Sequence, residues 1–340
     1  MTAKIYAFVL LGGFLVTAAV LTRQYVYPRV AVIPGDLDTT SVTQSPAGRT
    51  ATYFSIADLR EKRAPLKSVT VARVDAAASR KASKELQRTV RVLRVYGCTD
   101  VAAVDCTTKR LPLEGSLTTV ALDAASGETL AWRGNTVASG GKTETNVPFT
   151  GLLIKFPFDA QKRTYRFWNG DQKKSLPVRY IGETKLRGLT VYRYQQTIAP
   201  TVVGRLDLPG SLIGRKEPTV STDQVASSTT TYLVEPRTGV IMSATSAQHS
   251  YAAVRGHRVL TVTDGTFVSS DDTIAESVDH YRTLARALTA LRFQGPAAGL
   301  AAGALSLVTA AVLLARRRAG RPAATARPTA APSEQHAAGG

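Results

Sequence analysis

Residues 296–315 read PAAGLAAGALSLVTAAVLLA and contain no charged side chain, and the next three residues, 316–318, are all arginine. As an α-helix rising about 1.5 Å per residue, this stretch spans about 30 Å, the thickness of the hydrocarbon core of a bilayer. A buried core helix would also be apolar, but three consecutive arginines suit a membrane surface better than a protein interior. We therefore expect a C-terminal transmembrane helix over residues 296–315.

A second uncharged stretch lies near the other end of the chain, where residues 5–22 read IYAFVLLGGFLVTAAVLT. Its 18 residues would span about 27 Å as a helix. A cleaved signal peptide is the alternative, because Lys4 precedes the apolar run and Ala18 and Ala19 lie near its end. The run is longer than a usual signal core and Arg23 follows it directly, which favours a retained transmembrane helix over residues 1–22.

The distribution of arginine predicts how the chain is oriented in the membrane. Arginine-rich flanks remain on the cytoplasmic side, so residues 316–340 form a cytoplasmic tail, whose content of Ala, Pro and Thr predicts disorder. Residues 23–295 then lie on the outer side of the plasma membrane, and both termini are cytoplasmic. The expected protein is a two-pass membrane protein with one large extracytoplasmic domain.

The region between the two helices has the pattern of β-structure. Residues 23–50 contain Pro28, Pro34 and Pro46 and predict a stalk or an irregular strand leading into the domain. Residues 51–270 predict a β-rich domain of short strands rich in Val, Thr and Tyr. The clearest strands are at residues 68–74, 89–96, 118–123, 165–168, 178–181, 189–195, 230–234 and 239–243. The fold class is thus a membrane-anchored α+β protein, with a predominantly antiparallel β ectodomain between terminal transmembrane helices.

Local signals place several turns and one more helix. Residues 125–128 (ASGE), 169–171 (NGD) and 236–239 (PRTG) have the composition of turns between antiparallel strands. Residues 271–295 predict an amphipathic juxtamembrane helix, because apolar residues recur at the helical period and Ser270 and Asp271 are good caps. Gly295 and Pro296 are expected to break it from the second transmembrane helix.

The chain is strongly basic, with a formal net charge of +18 and a pI near 10.2. Only six of its 43 basic residues lie in the first helix and the tail, so most of the positive charge belongs to the extracytoplasmic domain. Nucleic acid is absent from that compartment and is excluded as a partner. Membrane lipids and anionic envelope polymers are the expected partners, unless the charge only keeps the surface solvated.

Cys98 and Cys106, the only two cysteines, are eight residues apart. In an extracytoplasmic domain such a pair predicts a disulfide bond. A zinc site would need further ligands at suitable spacing, and none of His249, His257 and His280 has a neighbouring His or Cys. We therefore expect a disulfide and no metal.

Three segments resemble catalytic or nucleotide-binding motifs but lack their required residues. Residues 139–143 (SGGKT) lack the first glycine of a phosphate-binding loop, because position 136 is threonine. Residues 210–214 (GSLIG) lack the central serine of a nucleophile elbow. His280 lies next to Asp279 on the polar part of a predicted helix. The sequence therefore predicts no catalytic residue, no cofactor and no enzyme activity.

Residues 151–168 (GLLIKFPFDAQKRTYRFW) concentrate aromatic side chains. Phe156, Phe158, Phe167 and Trp168 lie within 13 residues of one another. Aromatic residues in this density either fill the core or line an apolar ligand site. These four are the candidate ligand-lining residues.

The runs GLLIKFPFDAQKRTYRFWNGD (residues 151–171), VRYIGETKLRGLTVYRYQ (178–195), LPG (208–210) and YLVEPRTGVI (232–241) give the chain a familiar appearance. With the two terminal spans, they resemble an actinobacterial family of membrane proteins described as porin PorA-like. This resemblance implies a two-span envelope protein and transfers no functional residue. The architecture also resembles the scavenger-receptor class B lipid receptors, which implies an ectodomain with an apolar tunnel toward the membrane.

Two hypotheses of function follow. The first is a binding protein that captures or transfers an envelope lipid or another amphiphile, with the aromatic segment holding the apolar part and basic residues holding the headgroup. The second is an oligomeric channel or a structural envelope component, in which Gly299 and Gly303 are spaced for close contact between helices. Two spans per chain line a pore only in an oligomer, and neither span has a polar stripe.

Overall fold

A computed structural model describes residues 2–108 and 112–319. Two compact units are present: the terminal helices, and a β-domain over residues 26–290. The structure confirms an antiparallel β-domain flanked by long apolar helices. The predicted tail beyond residue 319 lies outside the described residues.

The first unit contains helix α1 (Thr2–Leu21) and a second long helix, Gly295–Ala319, which is the fifth α-helix of the chain and is named α5 below. Both helices are apolar and long enough to cross a membrane. They pack on each other through glycine: a Cβ on Gly303 would lie 2.8 Å from Cγ2 of Val16, and one on Gly299 would lie 3.1 Å from Cβ of Ala19. Ser306 Oγ donates a hydrogen bond of 2.8 Å to the Phe8 carbonyl. Close packing of helices through small residues is typical of transmembrane pairs.

The described residues of the β-domain form fourteen strands and three further α-helices. The helices are α2 (Tyr27–Val30), α3 (Ala76–Leu86) and α4 (Asp271–Thr289). The strands are β1 (Asp38–Gln44), β2 (Ala51–Ser55), β3 (Arg60–Ala64), β4 (Leu66–Val74), β5 (Val90–Val101), β6 (Glu114–Asp123), β7 (Thr136–Ser139), β8 (Lys142–Thr145), β9 (Tyr165–Asn169), β10 (Lys174–Leu186), β11 (Leu189–Pro209), β12 (Thr219–Val234), β13 (Ile241–Val254) and β14 (His257–Ser269).

All fourteen strands belong to one antiparallel sheet in the order β8-β7-β6-β5-β4-β1-β14-β13-β12-β11-β10-β9, and the β2–β3 hairpin pairs with β14. The sheet closes on itself through residues that join β9 to β6. Leu152 bridges both Phe167 of β9 and Glu128, and Thr129 bridges Leu122 of β6. The Trp168 amide donates to the Leu152 carbonyl over 2.7 Å, and the Leu130 amide donates to the Ala121 carbonyl over 2.8 Å. The β-domain is therefore a barrel closed by short bridges.

The inward side chains change from apolar to polar along the strands. On β12 they run from Val234 in the core to Ser228 in an open space, and on β6 from Leu122 to Glu114. The apolar end is filled by two clusters, one around Leu93 and Trp168 and the other around Phe156 and Tyr194. Successive inward positions on a strand are two residues apart, so one strand contributes to both regions.

Helices α3 and α4 cover the outside of the barrel. Asp75 caps α3 by accepting a hydrogen bond from the Ala78 amide, and Ala82 packs on β5. Ser270 caps α4, as its sequence predicts, and Val278 packs on Val191 and Met242.

Two features differ from the sequence-based expectation. Residues 23–50, expected as a stalk or a leading strand, contain helix α2 and strand β1, and β1 lies between β4 and β14 within the sheet. Gly295 and Pro296, expected to break a helix, begin α5 directly after a π-helical segment at Ala290–Gln294. Proline is tolerated there because the first turn of a helix needs no amide donor.

Candidate functional site: a polar lumen

The open end of the barrel holds a cavity of about 720 Å³, which we call the lumen. Its walls are rows of directly paired residues on neighbouring strands. One row is Gln196, Thr230, Ser246 and Phe267 across β11 to β14. A second row is Thr43, Ser68, Thr99 and Glu114 across β1, β4, β5 and β6. The volume falls in the range of about 300–1,000 Å³ that small-molecule sites occupy.

Hydroxyl and amide side chains share the wall of the lumen with apolar ones such as Phe54, Ile198 and Val203. Thr230 Oγ1 and Ser246 Oγ are 2.8 Å apart, and Thr99 Oγ1 donates to Ser68 Oγ over 3.0 Å. Gln248 Nε2 donates to Ser246 Oγ over 3.3 Å. Each hydroxyl and each amide has further donor or acceptor capacity beyond these contacts, so the wall can bind water or a polar solute.

The described lining of the lumen contains no positive side chain, although the chain is strongly basic. Among the described residues that line it, none is Lys or Arg; the acidic and imidazole side chains are those of Glu114, Asp171 and His249, and Tyr53 and Tyr232 carry phenol groups. The Glu114 side chain is exposed at the wall of the lumen, but loss of hydration there raises the pKa of its carboxyl, and the nearby charge of Asp171 raises it further. Burial also raises the pKa of Asp171. An anionic ligand would find no counter-charge on this wall.

Aromatic side chains form the inner end of the lumen. Trp168, Phe167 and Tyr232 line it and also belong to or contact the apolar core. The Phe167 and Tyr232 rings are stacked with centroids 5.5 Å apart, and Phe149 meets Trp168 edge-on at 5.1 Å. These residues close the inner end of the lumen.

A family model described as Porin PorA matches residues 6–312, from the first terminal helix to the second. The chain belongs to the Porin PorA family. A protein named Porin PorA from Corynebacterium amycolatum is 24% identical over 238 residues, covering 57% of this chain and 57% of the relative. Another of that name, from Corynebacterium resistens, is 34% identical over 55 residues, covering 16% of this chain and 13% of the relative. The chain thus spans little more than half the length of the first relative and far less of the second.

Membership of the Porin PorA family and the two apolar helices identify a membrane or cell-envelope protein. The resemblance noted in the sequence is confirmed at the level of the family. The wall of the lumen mixes polar and apolar side chains, so it does not form the apolar tunnel that the lipid-receptor resemblance implied. The hypothesis of amphiphile binding gains no support from this cavity.

The four aromatic candidates have different positions in this member of the family. Phe167 and Trp168 line the lumen, and only 6% and 8% of their surfaces are exposed. Phe156 is fully buried and stacks on Tyr194 at 4.4 Å. Phe158 packs against the cluster around Trp168, under the ammonium of Lys155. The structure therefore brings two of the four to the lumen and two to the core.

Lys155 is a buried cation in the core region. Its Nζ donates a hydrogen bond of 2.7 Å to the Phe156 carbonyl and lies 3.8 Å from the centroid of the Phe158 ring. Burial lowers the pKa of Lys155 to about 7, and the negative charge of Glu235 opposes the shift. It is not among the lumen-lining residues.

The structure also shows where the other features singled out in the sequence lie. The disulfide between Cys98 and Cys106 is confirmed. The SGGKT segment forms the turn of the β7–β8 hairpin, where Gly140 and Gly141 adopt positive φ. Gly210–Ile213 is a short 3-10 helix. Among the described residues, no three His, Cys, Asp or Glu side chains are grouped as metal ligands.

The polar lumen was missed in the sequence because its residues give no apolar periodicity. Residues 221–230 read STDQVASSTT, a composition that resembles a loop. The available signal was the alternation of small or polar inward residues at positions 224, 226, 228 and 230, which continues the alternation of the predicted strand at residues 230–234.

Proposed function

We propose that this chain is an envelope porin for small hydrophilic solutes. Helices of several copies provide the passage across the membrane, and the lumen of the β-domain admits the solute. The observation that carries the proposal is a cavity of about 720 Å³ whose described lining contains many hydroxyl and amide groups and no Lys or Arg. A hydrophilic solute can bind to such a wall because hydrogen bonds with protein groups replace the hydrogen bonds that the solute makes with water.

The comparisons support a porin over a lipid carrier. The Porin PorA match runs from helix α1 to helix α5, and two Corynebacterium proteins carry the same name. The lipid alternative requires a continuous apolar surface for an acyl chain, whereas the apolar side chains of the lumen are interspersed with hydroxyl and amide groups, as where Ile198 pairs with Ser228.

The proposal requires an oligomer. Helices α1 and α5 are in direct contact at Gly12, Gly299 and Gly303, which leaves no passage between them. Gly299 and Gly303 face α1 of their own chain, and Gly12 faces α5, so copies of the chain would associate through other helix faces. Exposed apolar residues such as Leu10, Phe14 and Leu305 cover those faces.

The arginines at positions 316–318 support an orientation with both termini in the cytoplasm and the β-domain outside the plasma membrane. This orientation gives the lumen access to extracytoplasmic solutes. It also fits the disulfide, because such bonds persist in oxidising compartments.

Conductance of the full chain in planar lipid bilayers tests the proposal. We expect ion-conducting steps that disappear when residues 296–315 are replaced by an unrelated apolar span. We also expect a preference for cations that falls by about twofold or more in the double variant Glu114→Gln, Asp171→Asn, because charged groups concentrate counter-ions near a passage.

Asp223→Asn is the matched control for the loss of lumen charge. Asp223 precedes the lumen-lining Gln224 on β12 and pairs with exposed Arg205 at 4.0 Å. This variant should keep the selectivity of the native chain. Absence of conductance, or conductance that survives replacement of residues 296–315, would contradict the proposed function.

A further inference from the structure

The wall of the lumen favours one kind of chemistry. Ser, Thr and Gln side chains both donate and accept hydrogen bonds, whereas carboxylates only accept and ammonium groups only donate. On adjacent strands, Gln196, Ser228, Thr230 and Gln248 all face the lumen. A ligand rich in hydroxyl groups also both donates and accepts, so it can pair with each of these four side chains.

The charge of the lumen excludes other ligand classes. Phosphate, sulfate and carboxylate groups are recognised mainly by Arg and Lys, and the described lining contains neither. The acids Glu114 and Asp171 would repel an anion further. An uncharged ligand avoids this repulsion.

Aromatic side chains add apolar faces to the polar wall. Trp168 and Tyr232 lie at the inner end of the lumen, and Tyr53 of the β2–β3 hairpin lies on another part of its wall. A sugar ring carries hydroxyl groups at its edge and C–H groups on its faces, so it can contact aromatic faces and polar side chains together. Binding sites for small molecules typically combine aromatic surface with polar groups that fix the orientation of the ligand.

If the interior of the barrel served only as a hydrophobic core, its inward-facing residues would be apolar along the whole length of each strand. Each hydroxyl or amide that is buried without a partner costs free energy, whereas Val or Leu at the same positions would stabilise the barrel. The apolar half of the same strands, at Val234 and Leu122, follows that rule. The polar half therefore keeps a hydrated space open.

We propose that the lumen of the β-domain binds a neutral, hydroxyl-rich ligand of the class of short oligosaccharides. This inference deepens the proposed function by naming a class of solute, but it does not depend on conduction. A chain that binds such a ligand and conducts no ions would overturn the porin proposal alone.

The two tryptophans allow a direct binding assay. Trp168 lines the lumen, whereas Trp132 lies outside it and donates a hydrogen bond to Glu85. In the full chain with Trp132→Phe, all tryptophan fluorescence comes from Trp168. Titration of this protein in detergent with maltotriose, cellotriose and raffinose should produce a saturable fluorescence change with at least one sugar, and the anionic trisaccharide 3′-sialyllactose should produce none.

Neighbouring residues on opposite faces of the same strands provide matched variants. Thr230→Val and Gln196→Leu change the lumen, whereas Thr229→Val and Gln195→Leu change residues that do not line it. Each lumen variant should weaken binding by roughly two- to tenfold, the cost of one lost hydrogen bond, and each control should leave it unchanged. Unchanged circular dichroism and melting temperature show that a variant is folded.

Three results would overturn the inference. The first is a fluorescence of Trp168 that no neutral trisaccharide changes up to the solubility limit. The second is equal weakening by lumen and control variants, and the third is binding of 3′-sialyllactose as tight as that of a neutral sugar.

Discussion

Glu114 is a carboxyl whose surroundings oppose its charge. Loss of hydration and the charge of Asp171 both raise its pKa, so folding disfavours the ionised form. The cost to stability is present above the raised pKa and disappears as pH falls below the ordinary value for a free carboxyl, because the group is then protonated in both folded and unfolded states.

Glu114→Gln should therefore stabilise the β-domain at neutral pH. We expect a rise in melting temperature of roughly 1–2 °C at pH 7 and no rise near pH 3.5, measured by differential scanning calorimetry. Asp223→Asn should give no such dependence. An equal effect of Glu114→Gln at both pH values would contradict the argument.

The effect of Lys155 on the stability of the β-domain has the opposite dependence on pH. Burial lowers its pKa to about 7, so its charged form is disfavoured in the folded protein. The cost to stability is full below pH 7 and vanishes above the ordinary pKa of lysine, near 10.4, because the side chain is then neutral in both states.

Lys155→Met removes the charge and keeps most of the volume. The melting temperature of the variant relative to the native chain should be higher at pH 6 than at pH 9.5, whatever constant loss comes from the hydrogen bond to Phe156. Lys81→Met, at an exposed position of α3, is the control and should show no trend. A difference that is constant with pH would show that Lys155 is not desolvated.

At the scale of elements, the disulfide joins Cys98 of β5 to the loop that follows this strand. Closing a loop with a sequence separation of eight stabilises by about 2–3 kcal/mol in the loop-entropy model. The double variant Cys98→Ala, Cys106→Ala should lower the melting temperature by roughly 5–10 °C. Reduction of the native chain should give a similar loss, and a change below about 1 °C in both would contradict this role.

The contact between the terminal helices depends on Gly303. Cysteines at Ala19 and Gly299 should cross-link within one chain, because a Cβ on Gly299 would lie 3.1 Å from that of Ala19. Adding Gly303→Val should slow this cross-linking by about tenfold, since its Cβ would lie 3.0 Å from the Gly12 carbonyl oxygen. Gly13→Val, where a Cβ would meet no atom within 4 Å, should leave the rate unchanged.

An element could be predicted from the sequence where it contains a characteristic turn or buries a regular pattern of apolar side chains. The turn at residues 236–239 is as predicted, because Glu235 accepts from the Thr238 amide and Gly239 adopts a φ of 72°. Strand β12 was predicted only over residues 230–234, where it meets the apolar core, and it extends back to Thr219. Helix α3 was not predicted, because AAASRKASKEL presents only a narrow apolar stripe.

At the scale of the whole molecule, barrel closure depends on contacts between residues far apart in sequence. Strand β1 pairs with both β4 and β14, and Leu152 joins β9 to the segment that meets β6. Local composition carries no signal for such pairings. The lumen is a consequence of this closure, so the candidate site could not be located before the sheet order was known.

A hydrated lumen with no Lys or Arg among its described lining residues is the feature on which both proposals depend. It is tested by thiol labelling of the full chain carrying either Ser228→Cys, which lines the lumen, or Thr229→Cys, which does not. The native cysteines form a disulfide and do not compete.

The measurement is the ratio of the reaction rates of a cationic and an anionic methanethiosulfonate reagent of similar size at each cysteine. We expect both reagents to modify the cysteine at residue 228. The ratio of the cationic to the anionic reaction rate should be several times larger at residue 228 than at residue 229. A cysteine at 228 that neither reagent modifies, or one that the anionic reagent modifies preferentially, would contradict a hydrated lumen with no Lys or Arg in its described lining.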